Sequence, residues 1–149
     1  MADYDYKAGK QRLEEILDNN MEVVEQDKLP NDDDFTFTNG YYSWVSAIFV
    51  DMRDSTKLCA DEDKEKLAKV FRSFSSEIIE ILRDDDNLRE IGMRGDCVYA
   101  VYTNPKQADV YETANKCFYV NTFMKMLNQL FREHNLPEIN VGIGMSTAQ

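Results

Sequence analysis

Two carboxylates and one short polar segment carry the chemical potential of this chain. Asp51 stands directly behind the apolar run Ala47-Ile48-Phe49-Val50 and is followed by Met52-Arg53-Asp54-Ser55-Thr56. That run reads as a strand buried on both faces, and a charge at its end costs several kcal/mol unless donors or a cation compensate it. Asp51 is therefore expected either to cap backbone amides or to hold a metal. Ser55 and Thr56 precede a helical stretch, where hydroxyls and free N–H groups make an anion site suited to phosphate. The plainer alternative is that one of them caps its own helix. Asp96 is the second carboxylate, and Gly95 before it permits a tight turn and a close approach to the backbone. Gly-Asp in a hairpin is also an ordinary turn sequence. If that turn lies beside the strand ending at Asp51, the two carboxylates share one edge and suit a divalent cation such as Mg²⁺, which takes one or two carboxylates plus phosphate oxygens. The combination points to a metal-bound nucleotide.

The elements that must position these residues are legible from periodicity. Leu13, Ile16, Leu17, Met21 and Val24 recur at three and four, predicting an amphipathic packing helix over Ala8–Glu25. Lys28 to Asp34, with Pro30 and Asp32-Asp33-Asp34, reads as a solvated linker. Tyr41 to Val50 is the first core strand. Leu67, Val70, Phe71, Phe74, Ile78, Ile81 and Leu82 make one helical stripe over Asp63–Arg83. Asp84-Asp85-Asp86-Asn87 stops it, and Leu88 to Met93 and Cys97 to Tyr102 flank Arg94-Gly95-Asp96 as a hairpin. Asn104-Pro105 breaks the strand; Ala108 to His134 is a second long helix, with Val110, Ala114, Phe118, Phe123, Met124, Leu127, Leu130 and Phe131 mostly inward, ended by Leu136-Pro137. Ile139 to Met145 is a last strand, Val141 and Ile143 alternating with small residues. The order is a helix followed by β-α-β-β-α-β, an α+β, ferredoxin-like layer with the helices on one face of an antiparallel sheet.

Composition bounds the partners. The chain has 149 residues, 43% hydrophobic, with 17 Lys+Arg against 28 Asp+Glu for a formal charge of −11. That suits one compact domain, and so acidic a surface repels a phosphate backbone, so nucleic acid is not expected. No apolar run approaches the roughly 20 residues that span a bilayer, and Met1 to Lys10 lacks the apolar core of a signal peptide, so no membrane and a cytoplasmic location are expected. Cys59, Cys97 and Cys117 suit neither a disulfide framework nor zinc and read as reduced, packed thiols. Cys97 beside Asp96 is a poor nucleophile, because that charge disfavours its thiolate. His134, at a helix end, reads as a cap or surface residue. Tyr99, Tyr102, Tyr111, Tyr119, Met124 and Met126 read as core.

With these residues in view, Ala47 to Thr56 resembles the first-strand signature of the class III nucleotide cyclases, Gly95-Asp96 within Ile91 to Tyr102 is similar to their second metal motif, and Val141-Gly142-Ile143-Gly144 to the strand that follows. The three motifs occur in family order over Trp44 to Thr147. The resemblance implies that Asp51 and Asp96 are the catalytic carboxylates and bind two divalent ions, Mg²⁺ or Mn²⁺, with the carbonyl of Met52. Amides from Arg53, Asp54, Ser55 and Thr56 would hold the β- and γ-phosphates. The implied reaction is attack of a ribose 3′-oxygen on the α-phosphorus of a nucleoside triphosphate with loss of pyrophosphate, a displacement governed by positioning and charge neutralisation. Residues 1–40 are then an N-terminal helix and acidic linker, and 41–149 a catalytic domain. The family builds its sites between two subunits, so a head-to-tail homodimer is implied.

The departures narrow the substrate. Purine cyclases carry a Lys or Glu four residues before the second metal Asp; here that position is Gly92, which leaves space. By strand alternation Gly92, Arg94 and Asp96 share a face, so Arg94 is placed to offer a donor fork to a pyrimidine carbonyl, its plainer role being an exposed hairpin arginine. With Asn39-Gly40-Tyr41-Tyr42-Ser43-Trp44, this resembles the bacterial pyrimidine cyclases, whose cyclic CMP or cyclic UMP signals phage infection to a separate toxic effector. The family's Asn and Arg from a helix beyond the final strand are not reached by Gln149, so the catalytic domain is expected to be incomplete at the C-terminus and inactive alone. A purine cyclase with an atypical base pocket, or a non-catalytic nucleotide-binding or dimerisation module, remain the alternative readings.

Overall fold

The computed structural model describes residues 4–30, 32–36 and 38–149. Met1 to Asp3, Asn31 of the expected linker, the side chain of Asp32 and Phe37 lie outside the described residues. Helix α1 (Tyr6–Asp18) is capped by Asp5, whose carboxylate accepts from the amides of Lys7 and Ala8. It ends earlier than its periodicity implied. The residues that follow form strand β1 (Glu22–Glu25), paired in parallel with β2 (Asn39–Tyr42). Nor is α1 a packing helix, since Leu13 and Leu17 are exposed and only Gly9 is buried. A 3₁₀ turn (Asp32–Asp34) leads into the rest.

The functional half is the four-stranded sheet. β3 (Val45–Met52) leads through a two-residue turn into α2 (Ser55–Asp61) and α3 (Lys64–Arg83). The hairpin β4 (Leu88–Arg94) and β5 (Cys97–Thr103), the long α4 (Gln107–Glu133) and β6 (Val141–Ala148) complete it. The order across the sheet is β4-β5-β3-β6, and every pairing is antiparallel. The α+β expectation stands, with α2 as an additional short helix. Asp63 caps α3 through the amides of Glu65 and Lys66, which explains the break between α2 and α3. Asn135, in the left-handed region at φ 54°, and Pro137 close α4.

One face of this sheet is covered and the other is not. Ile48, Val50 and Met52 of β3 and Val98, Ala100 and Tyr102 of β5 pack under Val70, Phe74, Ile78 and Leu82 of α3 and Val120, Phe123, Met124, Leu127 and Phe131 of α4. The stripe of α3 is the one its sequence predicts. On α4, Phe118 and Leu130 point outward, and Tyr111, Tyr119 and Met126 are exposed rather than core. Tyr102 is fully buried, and its hydroxyl donates to the Leu82 carbonyl at 2.6 Å. At the far end of the sheet Asn104 Nδ2 donates to Ser46 Oγ and Thr113 Oγ1, and Ser46 Oγ bonds Thr147 Oγ1, tying three strands' ends to α4.

The expectation that the Ala47–Val50 run is buried on both faces does not hold. Ile48 and Val50 are wholly buried, whereas Phe49 is 49% exposed and Asp51 is exposed. The run mixes large and small apolar residues on both sides of the strand, and helices cover only one of them.

Candidate functional site

Register builds the site. In β3, β5 and β6 residues opposite one another point to the same face, so Arg94, Cys97, Asp51 and Gly142 form one row across the open face, running β4-β5-β3-β6. The next row is Gly92, Tyr99, Phe49 and Gly144. The Gly95-Asp96 turn closes the hairpin at the end of the first row, with Gly95 at φ 60°, a conformation that a side chain would strain. The amide of Met52 donates to the Asp96 carbonyl at 3.1 Å, fastening the turn to the end of β3. Asp51 and Asp96 therefore lie at the same end of the sheet, where β3 ends and β5 begins, and Asp96 belongs to the turn rather than to the strand face of Gly92 and Arg94.

The environment of Asp51 differs from the one expected. Being exposed on the open face, it carries no burial cost and needs no compensating partner within the chain. Cys97 senses both acids. Burial first, then the negative charges of Asp51 and Asp96, hold its thiol above its ordinary value of 9.0, which disfavours a nucleophilic thiolate. Cys59 is exposed, so not every thiol is packed. His134 caps α4, its Nδ1 lying 2.9 Å from the Leu130 carbonyl.

Between β3 and α2 the chain turns through Asp54, whose φ of 56° lies in the left-handed region that Asp tolerates better than most residues. No side chain caps α2. Ser55 does not cap its own helix; its hydroxyl donates instead to Asp96 Oδ2, joining the helix start to the second carboxylate. The amide of Arg53 is already committed to the Asn140 carbonyl at 2.8 Å. Its guanidinium lies where a Cβ on Gly142 would be, 2.5 Å from Nη2, so Gly142 is what lets a positive charge lie in the row of Asp51. Arg53, Asp54 and Lys57 also line a cleft of about 250 Å³ between α2 and the segment Pro137–Asn140.

One expectation is overturned outright. The space at Gly92 is not empty, because a Cβ there would sit 2.6 Å from Tyr99 Oη and 2.7 Å from its Cζ. Tyr99 is a residue of the open face rather than of the core; its hydroxyl donates to Glu90 Oε1 at 2.6 Å, and its ring stacks on Phe49 with centroids 6.1 Å apart. The hydrogen bond to Glu90, then burial and the Glu90 charge, hold the phenol above its ordinary value of 10.0. A signal for Tyr99 existed, since a two-residue turn sets 94 opposite 97 and hence 92 opposite 99.

Among the described residues no three His, Cys, Asp or Glu converge. The residues at that end of the sheet offer the carboxylates of Asp51 and Asp96 and the backbone carbonyl of Met52, all oxygen, a donor chemistry that fits a hard divalent cation. No helix among the described residues is long and apolar enough to cross a membrane.

Comparison with known proteins places this arrangement in context. Residues 38–149 match the family described as the adenylate and guanylate cyclase catalytic domain. The chain is 52% identical over 98% of its length to a protein of Treponema porcinum named uridylate cyclase, of which it covers 51%. It is 31% identical over 96% of its length to another so named from Gulbenkiania mobilis, of which it covers 58%. The chain thus spans about half the length of the curated relatives it matches. Among solved structures, the adenylyl cyclase CyaB of P. aeruginosa aligns with a TM-score of 0.63 at 21% identity, over 70% of this chain and 56% of that one. A class III adenylyl cyclase-like ATP-binding protein from Pseudomonas aeruginosa aligns with 0.70 at 15% identity, over 95% of this chain and 33% of that one. At these identities the structural likeness speaks for the fold alone.

Proposed function

The chain belongs to the adenylate and guanylate cyclase catalytic domain family, and from that premise we propose that the protein cyclises a pyrimidine nucleoside triphosphate, UTP ahead of CTP, to its 3′,5′-cyclic monophosphate with release of pyrophosphate. The observation that carries the reading is that Asp51 and the Gly95-Asp96 turn lie at the same end of the sheet, the turn fastened to β3 through the Met52 amide. The choice of base is supported by the name of its 52% identical relative and by the glycine at position 92.

Asp51, Asp96 and the Met52 carbonyl would hold the ions; class III cyclases use divalent metals, and Mg²⁺ or Mn²⁺ is proposed here. Two such ions supply charge neutralisation on the triphosphate and acidify the ribose 3′-hydroxyl. The amides of Asp54, Ser55 and Thr56 receive the terminal phosphates, aided by the Arg53 guanidinium rather than its amide, which Asn140 already takes. Ser55 steadies Asp96 by its hydrogen bond, so the carboxylate is oriented before substrate arrives. Arg94, in the Asp51 row, offers its donor fork to a base carbonyl. The rest of the reading is a homodimer with sites at the subunit interface, a cytoplasmic location, and a product read by a separate effector in antiphage signalling.

The test is turnover of ATP, GTP, CTP and UTP by the full-length protein with Mn²⁺ or Mg²⁺, products separated by chromatography. Cyclic UMP with pyrophosphate is the expected result. A preference for ATP or GTP would overturn the base assignment, and turnover of none would overturn cyclisation.

A further inference from the structure

We propose that the N-terminal segment, α1 with β1 and β2, is an arm that packs its apolar side into the groove between α3 and α4 of a second copy of this chain, each copy giving one arm and receiving one. The inference is independent of the cyclase reading, and it concerns the helical side of the molecule rather than the face that carries Asp51.

The arm has the makings of a packed layer and nothing of its own to pack on. Tyr6, Leu13, Ile16 and Leu17 recur at three, four and seven and so share one side of α1. Tyr6 and Leu17 are 81% and 79% exposed. Among the described residues, no hydrophobic residue before Ile48 belongs to the core or packs against it. The pair β1 and β2 is parallel and only two-stranded, with all four residues of β1 exposed. Two strands alone are at best marginal in water, and parallel strands are ordinarily covered on both faces. Polar bonds fasten the arm to the rest of its chain: Lys28 Nζ donates to the Asp86 carbonyl at 3.2 Å and Gln149 Nε2 to Glu25 Oε1 at 2.9 Å.

The receiving surface is equally uncovered. On α4, Tyr111, Phe118, Tyr119, Met126 and Leu130 are all exposed and fall within about a third of the helix circumference, turned away from the sheet. Beside this ridge lies a groove of about 510 Å³, lined by Met126, Leu130 and Phe131 of α4 and by Lys69, Ser73 and Glu77 of α3. Such a groove accepts a helix that presents apolar residues at i, i+3 and i+4, the spacing of Leu13, Ile16 and Leu17. Both surfaces are exposed in one chain, so the chain does not bring its own arm to its own groove, and a second copy supplies it. Charge chooses the pairing. Residues 1–44 hold 11 of the 28 acidic side chains and 4 of the 17 basic ones, so two arms repel each other. The helices α3 and α4 together carry 8 basic and 6 acidic side chains and draw an arm in. The area is of the right order. The three ridge aromatics present on the order of 100–150 Å² each, and exchange adds the arm's apolar side on every copy, toward the roughly 800 Å² that a stable interface takes from each partner. One arm and one groove per copy close the contact at two copies.

Cross-linking of the full-length protein tests this, with Cys59→Ala removing the exposed native thiol. One preparation carries Leu17→Cys and another Met126→Cys, both at exposed positions. With diamide as oxidant, the mixture is expected to give a disulfide-linked dimer of one chain of each kind, and neither preparation alone to give one. A mixture that forms no such dimer overturns the inference, and so does a dimer of Leu17→Cys chains alone, which sets arm on arm. A chain carrying both substitutions that closes on itself as a monomer overturns it as well, because the arm then serves its own groove. Sedimentation supplies a second measure. Leu13→Glu with Leu17→Glu, or Met126→Glu with Leu130→Glu, should halve the mass of the parent assembly, and a parent no heavier than these variants overturns the contact. A protein that cross-links as expected but cyclises no nucleotide loses the cyclase reading and keeps this inference.

Discussion

The two faces of the four-stranded sheet are made by the same strands, residue by residue in alternation, yet they do opposite work. On the covered face Ile48, Val50, Val98 and Ala100 are wholly buried beneath α3 and α4, and the buried Tyr102 hydroxyl there donates to the Leu82 carbonyl. The open face carries Asp51, Arg94, Cys97, Tyr99 and Phe49, and the edge strand β6 offers Gly142, Gly144, Ser146 and Ala148 there. One side of each strand contributes stability, which falls when volume is lost. The other side holds charges and rings at fixed spacing in water, where substitution is cheap for the fold and costly for chemistry. Separating the two by a single strand's thickness lets rigid backbone position the site.

Four measurements put that contrast to the test. The largest expected effect is at the end of β3 and the turn beside it. Asp51→Ala or Asp96→Ala in the full-length protein should reduce cyclisation by about 10³-fold or more, because each removes a ligand worth several kcal/mol in the transition state. The melting temperature should move by no more than a few degrees, since Asp51 is exposed; near-normal turnover in both variants would end the carboxylate assignment. On the covered face the order reverses: Phe74→Ala, at a fully buried position, should cost about 3–5 kcal/mol in urea unfolding.

A smaller effect comes from Tyr102. Burial chiefly, then the Asp85 charge, raises its phenol far above the ordinary 10.0. Because the folded value is raised, its contribution to stability is complete below pH 10.0 and is lost as pH climbs toward the folded value. Melting temperature should therefore fall with rising pH above that point, and Tyr102→Phe should flatten the fall while costing about 1 kcal/mol at neutral pH through the lost bond to Leu82. An unchanged slope would show that another group governs alkaline unfolding. The smallest effect belongs to Gly144→Ala, whose Cβ meets nothing within 4 Å. Its stability should stay level or rise by up to about 1 kcal/mol, whereas Gly142→Ala must first displace the Arg53 guanidinium.

Local periodicity was enough for most of the fold. The stripe Val70, Phe74, Ile78 and Leu82, the hairpin turning at Gly95-Asp96, and the order of strands and helices all rest on spacings of two or three to four residues, set by backbone geometry alone. Where such a spacing misled, context had changed its meaning. Leu13, Ile16 and Leu17 do lie on a helix, but nothing in their spacing says that the helix stops at Asp18 or stays exposed. Phe118 and Leu130 fall off the buried period of α4, which runs through Val120, Phe123, Leu127 and Phe131, and both are exposed.

At the site, the residue types and their order alone fixed which groups are present to be used: Asp51 behind an apolar strand run, Asp96 after a turn glycine, and Ser55 ahead of a helical stretch. Tertiary structure decided what each is free to do. Alternation divides β3 into two faces but does not say which the helices cover, because apolar side chains occupy both, and so the exposure of Asp51 and Phe49 followed only from packing. The Arg53 amide is taken by Asn140, the Ser55 hydroxyl by Asp96 and the space at Gly92 by Tyr99. Each of those partners arrives from another strand or turn, and a hydrogen bond or steric contact acts over a few ångströms in space, a distance that sequence separation does not measure.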